Sequence, residues 1–250
     1  MHRCFVSPAA WDARHVRLSS EEAHHLLHVL RAVPGDVVTV FDGQGRQALA
    51  RLPALPLVPR PSLGLEIMES VPAERPAVFV PRAPALPKGP KMDWIVEKAT
   101  ELGVSVVLPV ITERVVTRLR DSQKEERRER WQRIALSAAK QCCTSWVPEV
   151  RAVSGFAEAV KRCAEADLFL VGALTPEARA FRTVLREAGK NRPRQVALLI
   201  GPEGDLTPDE LAEACRAGAV PVSFGPRVLR VDTAALFGLS VLASELATTA

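Results

Sequence analysis

Cysteine is sparse and unpatterned in this chain. Cys4, Cys142, Cys143, Cys163 and Cys215 are odd in number and never spaced C-x-x-C. That argues against a disulfide framework and a zinc site, and fits a reducing, cytoplasmic setting. Long apolar runs are missing as well. No stretch reaches the roughly 18 apolar residues that suit a bilayer span, and no charged leader followed by an apolar core opens the chain, so neither a membrane anchor nor an export signal is expected. Internal repeats and low-complexity tails are absent. So are G-x-G-x-x-G and G-x-x-x-x-G-K-[ST], the usual marks of a nucleotide enzyme. A net charge of +4 permits a polyanionic partner without requiring one.

What is present begins with 250 residues, 47% of them apolar, enough for one large or two modest domains with a real core. The first 70 residues read as a small β-rich unit. Ser19-Ser20-Glu21-Glu22 caps a helix whose inner face carries Ala23, Leu26, Leu27 and Leu30. Asp42-Gly43-Gln44-Gly45 then joins two strands, Val37 to Phe41 and Arg46 to Leu52, as a hairpin. His24 and His28 have an i, i+4 spacing that metal sites use, but no third ligand accompanies them, so no metal is expected.

From about Val71 the pattern turns to alternating strands and helices, which places a boundary between residues 71 and 72 and predicts a mostly parallel α/β sheet beyond it. The expected order is a strand over Ala77 to Val80, a helix from Pro90, a strand over Val104 to Ile111, and a long helix from Ser122. A strand follows near Val147, then a helix near Phe156, a strand over Leu168 to Val171, and a helix from Pro176. On the long helix, the run Lys124 to Arg130 sums to only +1, and Glu126 is spaced to pair with Arg130.

The stretch from Val196 to Ala235 uses one device twice. An apolar strand, Val196 to Ile200, runs into Gly201-Pro202-Glu203-Gly204. A helix follows, capped by Thr207-Pro208-Asp209-Glu210, and a second strand, Val220 to Phe224, runs into Gly225-Pro226. Glu203 sits where a phosphate would have to lie. Two loops rich in backbone and poor in side chains, at neighbouring strand ends, instead make a slot for a flat, uncharged ring.

Several segments are similar to one family, the ribosomal RNA small subunit methyltransferase E family. They are Lys91-Met92-Asp93-Trp94-Ile95-Val96-Glu97-Lys98-Ala99-Thr100-Glu101-Leu102-Gly103, Trp131-Gln132-Arg133-Ile134-Ala135, Val147-Pro148-Glu149-Val150, Leu199-Ile200-Gly201-Pro202-Glu203-Gly204 and Gly225-Pro226-Arg227-Val228-Leu229-Arg230. Arg3-x-Phe5 and the segment His25 to Arg31 extend the resemblance to the N-terminal unit. It implies a PUA-like RNA-binding β-barrel over residues 1–71 and an α/β, SPOUT-type knotted parallel-sheet methyltransferase domain over 72–250, its knot a C-terminal trefoil. It also implies a homodimer with no membrane partner, and S-adenosylmethionine as methyl donor without a metal. The expected reaction is methylation of nitrogen 3 of a uridine in 16S ribosomal RNA or the small subunit. A SPOUT methyltransferase for another RNA position, and an inactive RNA-binding relative, are the alternatives.

By the same resemblance the cofactor would meet Leu199, Ile200, Gly201, Gly204, Phe224, Gly225, Leu229, Arg230, Thr233 and Ala234, with the strand end at Val171-Gly172 as a third wall. Arg230, Arg227, Glu203 and Asp232 are the catalytic candidates, because an imide nitrogen needs a base or a cation that stabilises its anion. Arg3, His25, Arg31, Lys88 and Lys91 are the expected phosphate contacts. The sequence departs from the family pattern in three places. Asp205 replaces the second glycine of G-P-E-G-G, Asp232 replaces the glutamate of R-T-E-T-A, and Lys140 to Trp146 replaces a stretch with Gly-Arg-Asn.

Overall fold

A computed structural model describes residues 2–54, 63–73, 81–87, 90–115, 119–189 and 193–246. Its chain divides into two compact units, Met1–Arg75 with Ala139–Val147, and Pro76–Ala138 with Pro148–Ala250. A single break between residues 71 and 72 does not anticipate that Ala139–Val147 groups with the first unit.

In the first unit, β1 (Arg3–Phe5), β2 (His15–Leu18), β3 (Val37–Phe41), β4 (Gln47–Arg51) and β5 (Leu63–Val71) form one sheet in the order β1-β3-β4-β5-β2. Helix α1 (Ser20–His24) continues as a π-helical turn over His25–Val29. The hydroxyl of Ser19 accepts from Glu22 N at 3.2 Å, and Leu26 is the residue of the helix face that is fully buried. The β3–β4 hairpin is held by Asp42, whose Oδ1 accepts from Gln44 N (2.8 Å) and Arg46 N (3.0 Å). Against this hairpin lies segment 144–147. Val147 N donates to Gly43 O at 2.9 Å, and Gly45 N donates to Ser145 O at 3.0 Å. Lys140 pairs with Glu22, so the stretch that departs from the family pattern is bonded into this unit's packing.

The second unit holds β6 (Pro81–Pro84), α2 (Lys91–Glu101), β7 (Val106–Val107), β8 (Val110–Ile111), α3 (Asp121–Gln141, its last three residues in the first unit), β9 (Glu149–Val150) and β10 (Ser154–Gly155). Then come α4 (Phe156–Cys163), β11 (Leu168–Gly172), β12 (Arg179–Ala180), α5 (Phe181–Gly189), β13 (Val196–Ile200), α6 (Pro208–Arg216), β14 (Val220–Ser223) and α7 (Val231–Leu246). Seven of the strands form a wholly parallel sheet, ordered β12-β14-β11-β13-β6-β7-β9. Strand β13 is buried along its whole length, which is why its sequence is continuously apolar rather than alternating. Ala197 and Leu199 face a core shared with Ala159 and Val160 of α4 and Ala214 of α6. On the other side, Leu198 meets α7 so closely that a Cβ on Gly238 would lie 2.5 Å from its Cδ2.

Two expectations change and a third meets no described residue. The strand expected over Val104 to Ile111 is two short strands separated by Leu108 and Pro109, because proline cannot donate to a ladder; β7 stays in the large sheet and β8 pairs with β10. The helix expected from Pro176 starts at Phe181, since Arg179 and Ala180 first pair with Val222 and Ser223. The strand expected over Ala77 to Val80 lies outside the described residues.

Helix α6 starts as the sequence predicts. Thr207 Oγ1 accepts from Glu210 N at 3.2 Å, and Glu210 Oε2 accepts from Thr207 N at 3.0 Å. The other oxygen of Glu210 accepts from Glu113 N at 2.9 Å, so one buried carboxylate satisfies backbone donors of two chain segments.

Candidate functional site

Strands β14, β11 and β13 are neighbours in the parallel sheet, and the chain leaving their carboxyl ends lines an open cleft. Carboxyl ends of parallel strands are where an α/β sheet leaves room for a ligand. The walls are Gly172 to Leu174 after β11, Ile200 to Asp205 without Gly204 after β13, and Phe224 to Leu229 without Pro226 after β14, closed by Val231 and Ala234 of α7.

Glycine is needed at this site for space and for backbone geometry. A Cβ on Gly172 would come within 3.1 Å of the Phe224 ring, and one on Gly201 within 3.1 Å of Leu206 N. Gly225 has φ +121°, which side-chain-bearing residues avoid. Asp205 has φ 59°, the left-handed conformation that aspartate tolerates better than most residues. Its Oδ1 accepts from Leu206 N at 2.8 Å and its Oδ2 from Leu174 N at 3.3 Å, so the side chain ties the loop after β13 to the wall after β11. Arg114 Nη1 donates to Gly204 O at 2.6 Å and fixes the same loop from another side.

Of the expected cofactor contacts, Ile200, Gly201, Phe224, Gly225, Leu229 and Ala234 line the cleft. Leu199 points into the core beneath α4 and α6, and Gly204 is held by Arg114. Arg230 and Thr233 are exposed and do not line the cleft.

Among the catalytic candidates, Glu203 and Arg227 line it, whereas Asp232 lies in the first turn of α7. Glu203 and Asp232 are brought together by Lys91, whose Nζ is 3.7 Å from Glu203 Oε1 and 3.5 Å from Asp232 Oδ1. Asp232 Oδ1 is buried and makes no hydrogen bond, which leaves the lysine as its compensation.

The expected phosphate contacts separate into different environments. Arg3 donates from Nη2 to Thr144 O and Ser145 Oγ, both at 3.0 Å, and its guanidinium lies 4.8 Å from the Phe41 ring centroid. Burial holds its pKa below the ordinary arginine value, an effect that the nearby Cys143 and Cys142 oppose. His25 and Arg31 are exposed, Arg31 with φ 55°. Lys88 lies outside the described residues.

A family model for an RNA methyltransferase domain matches residues 75–243, and one for an RNA methyltransferase PUA domain matches residues 18–54. The chain is 31% identical to ribosomal RNA small subunit methyltransferase E of Bacillus subtilis, over 91% of this chain and 89% of that protein. It is 34% identical to the protein of the same name from Synechocystis, over 96% and 76%. The chain belongs to the ribosomal RNA small subunit methyltransferase E family.

Two solved structures resemble it closely. One is a methyltransferase of Legionella pneumophila in complex with its cofactor S-adenosylmethionine, 29% identical with a TM-score of 0.84 over 97% of this chain and 96% of that one. The other is ribosomal RNA small subunit methyltransferase E of Neisseria gonorrhoeae bound to S-adenosyl methionine, 29% identical with a TM-score of 0.80 over 98% and 97%. As a family member the chain is a methyltransferase of ribosomal RNA, with a parallel-sheet SPOUT-type domain preceded by a small PUA-like β unit. Among the described residues no helix is long and apolar enough to cross a membrane, and no acid, histidine and cysteine cluster could hold a metal.

Sequence reasoning missed Arg114, for which nothing in the pattern gave a signal. It also missed the role of Lys91 as a bridge. There a signal existed, since a lysine in the first turn of a helix opposes the helix dipole unless acids compensate it.

Proposed function

We propose that this chain transfers a methyl group from S-adenosylmethionine to nitrogen 3 of a uridine in 16S ribosomal RNA, as a cytoplasmic homodimer whose methyltransferase domain, residues 72–250, carries the C-terminal trefoil knot. The observation that carries the reading is the cleft at the ends of β11, β13 and β14. Its floor is backbone and apolar side chain, suited to an adenine ring and a ribose held by main-chain groups, and its charged groups, Glu203, Asp205 and Arg227, are few.

S-adenosylmethionine supplies, when bound, an electrophilic methyl on a sulfonium. The chain's own contribution is positioning and charge. Backbone at Ile200, Gly201, Phe224, Gly225 and Leu229 would orient the cofactor, with Ala234 closing the cleft. Leu199, Gly204, Arg230 and Thr233 would act from behind or beside that contact shell. Arg227 would stabilise the anion formed when the uridine imide loses its proton, with Arg230 further out. Glu203 and Asp232, held by Lys91, would fix the two loops relative to each other. His25, Arg31 and Lys88 would hold phosphate, while Arg3 would do so only indirectly, by fixing segment 144–145.

The test is mass spectrometry of nucleosides from 16S ribosomal RNA of a strain lacking this protein and of the same strain with it restored. Loss and recovery of 3-methyluridine is the expected result. A 3-methyluridine level that never changes overturns the assignment, and a change in a different methylated nucleoside would replace the target.

A further inference from the structure

Outside the cleft, the second unit has an open groove between α2 and α3, lined among others by Asp93, Glu126, Arg127, Arg130, Trp131 and Arg133, with Gln123 at one end. Positions 123, 127, 130 and 133 recur at intervals of four, three and three, so they form one stripe along α3.

Charges on this helix are sorted in a way that the mixed composition conceals. Lys124 pairs with Asp121 at 2.8 Å and Arg128 with Glu125 at 2.5 Å. Arg130 does not take Glu126, the partner its spacing suggests. It donates to Asp93 Oδ2 at 2.6 Å, while Trp131 Nε1 donates to Asp93 Oδ1 at 3.0 Å. Both oxygens of the central acid are thereby occupied. Arg127 and Arg133 have no ion-pair partner among the described residues and both line the groove. Six residues apart, they are displaced by about 9 Å along the helix axis at roughly 1.5 Å per residue.

We propose that Arg127 and Arg133 hold phosphates of the substrate RNA, making this groove an RNA-backbone contact of the methyltransferase unit; the inference rests on ribosomal RNA being the substrate. Guanidinium suits phosphate geometry, and with Asp93 already paired to Arg130, Arg127 and Arg133 outnumber the one further acid of the groove, Glu126. Protein docking is less well served. The large apolar side chains of the groove, Met92 at 3% and Trp131 at 2% exposure, are already buried, and Pro90 is the exposed apolar residue of its lining, too small an anchor for a partner protein. The same burial withdraws Trp131 from base stacking. The groove therefore positions RNA and reads no sequence.

Binding of a 16S ribosomal RNA fragment, and of the assembled small subunit, is measured by fluorescence anisotropy across a salt series for the wild type, Arg127→Ala/Arg133→Ala, Arg127→Lys/Arg133→Lys and Arg128→Ala. The double alanine variant should bind roughly tenfold more weakly, with a slope of log affinity against log salt shallower by about 1.4 to 1.8, the loss of two phosphate contacts. The lysine variant should keep most of the slope, Arg128→Ala should match the wild type, and S-adenosylmethionine binding by calorimetry should be unchanged in all, which reports intact folding. An unaltered slope in the double alanine variant overturns the proposal while leaving the function intact. A loss confined to the assembled subunit overturns it in favour of a protein contact. A wild type that binds ribosomal RNA with no salt dependence removes the function and this inference together.

Discussion

Two acid-capped glycine loops, one in each unit, are built alike and end differently. In residues 42–46, Asp42 accepts from two backbone amides, and Gly43 and Gly45 take φ 77° and 94°. In residues 201–205, Asp205 accepts from two backbone amides and itself takes φ 59°. The first loop is filled. A Cβ on Gly45 would lie 2.1 Å from Cζ2 of Trp146, so the tryptophan occupies the space that glycine opens. The second loop leaves its space open as the cleft. A glycine turn capped by an acid is therefore a way of making room, and its role is decided by whether the same chain fills that room.

The strongest break in the comparison is Gly45→Ala. It places a methyl inside the Trp146 ring and forces alanine into a positive φ, together worth about 3 kcal/mol of stability, read as a lower thermal midpoint. Adding Trp146→Ala removes the clash, so the double variant should lose less than the sum of the single changes. A Gly45→Ala protein that melts like the wild type would mean that the loop is not filled.

Next in size is Lys91→Met. It removes both ion pairs from Glu203 and Asp232 and leaves Asp232 Oδ1 buried without compensation. Because all three side chains retain some solvent, the effect should be moderate, about tenfold weaker S-adenosylmethionine binding by calorimetry. Affinity within twofold of the wild type would show that the two loops hold their places without the lysine.

A finer test separates backbone conformation from hydrogen bonding at Asp205. Asp205→Gly keeps the positive φ and loses two acceptors, costing about 1 kcal/mol. Asp205→Ala loses the same acceptors and adds about 1 kcal/mol for a left-handed alanine. Equal stability of the two variants in denaturant unfolding would show that φ is not what selects the residue.

Much of this was legible where the cause is local. The capping residues Thr207 and Glu210, the apolar run of β13, and the two strand-to-glycine turns each carry their signal within a few residues, and they mark out the cleft. What escaped depends on distant partners. Trp146 fills Gly45 from 101 positions away, a distance that is the difference of the two residue numbers. Arg114 reaches Gly204 across 90 residues. Arg130 prefers Asp93, 37 residues back, to its helical neighbour Glu126. The split of residues 104–111 is different, since Pro109 was visible and its effect on the ladder was underweighted. Family motifs named the activity, whereas periodicity alone would have stopped at a parallel sheet with a slot.

The effect that shows only at alkaline pH treats the two units symmetrically, because each contains one deeply buried thiol. Burial pushes Cys4 in the first unit and Cys163 in the second up to about 12 from an ordinary 9.0, with Glu22 adding to the shift at Cys4. A raised pKa means that the fold favours the neutral thiol. The associated stability is complete below pH 9 and is lost as pH rises towards 12, by up to about 1.4 kcal/mol per pH unit for each thiol. No tyrosine is present to titrate over the same range. Denaturant unfolding from pH 8 to 10 should therefore steepen in its decline above pH 9, and Cys4→Ala and Cys163→Ala should each flatten that decline, whatever constant offset the lost sulfur introduces. If both variants follow the wild-type slope, neither thiol is protected from ionisation by its unit's core, and the assignment of alkaline sensitivity to these two sites fails.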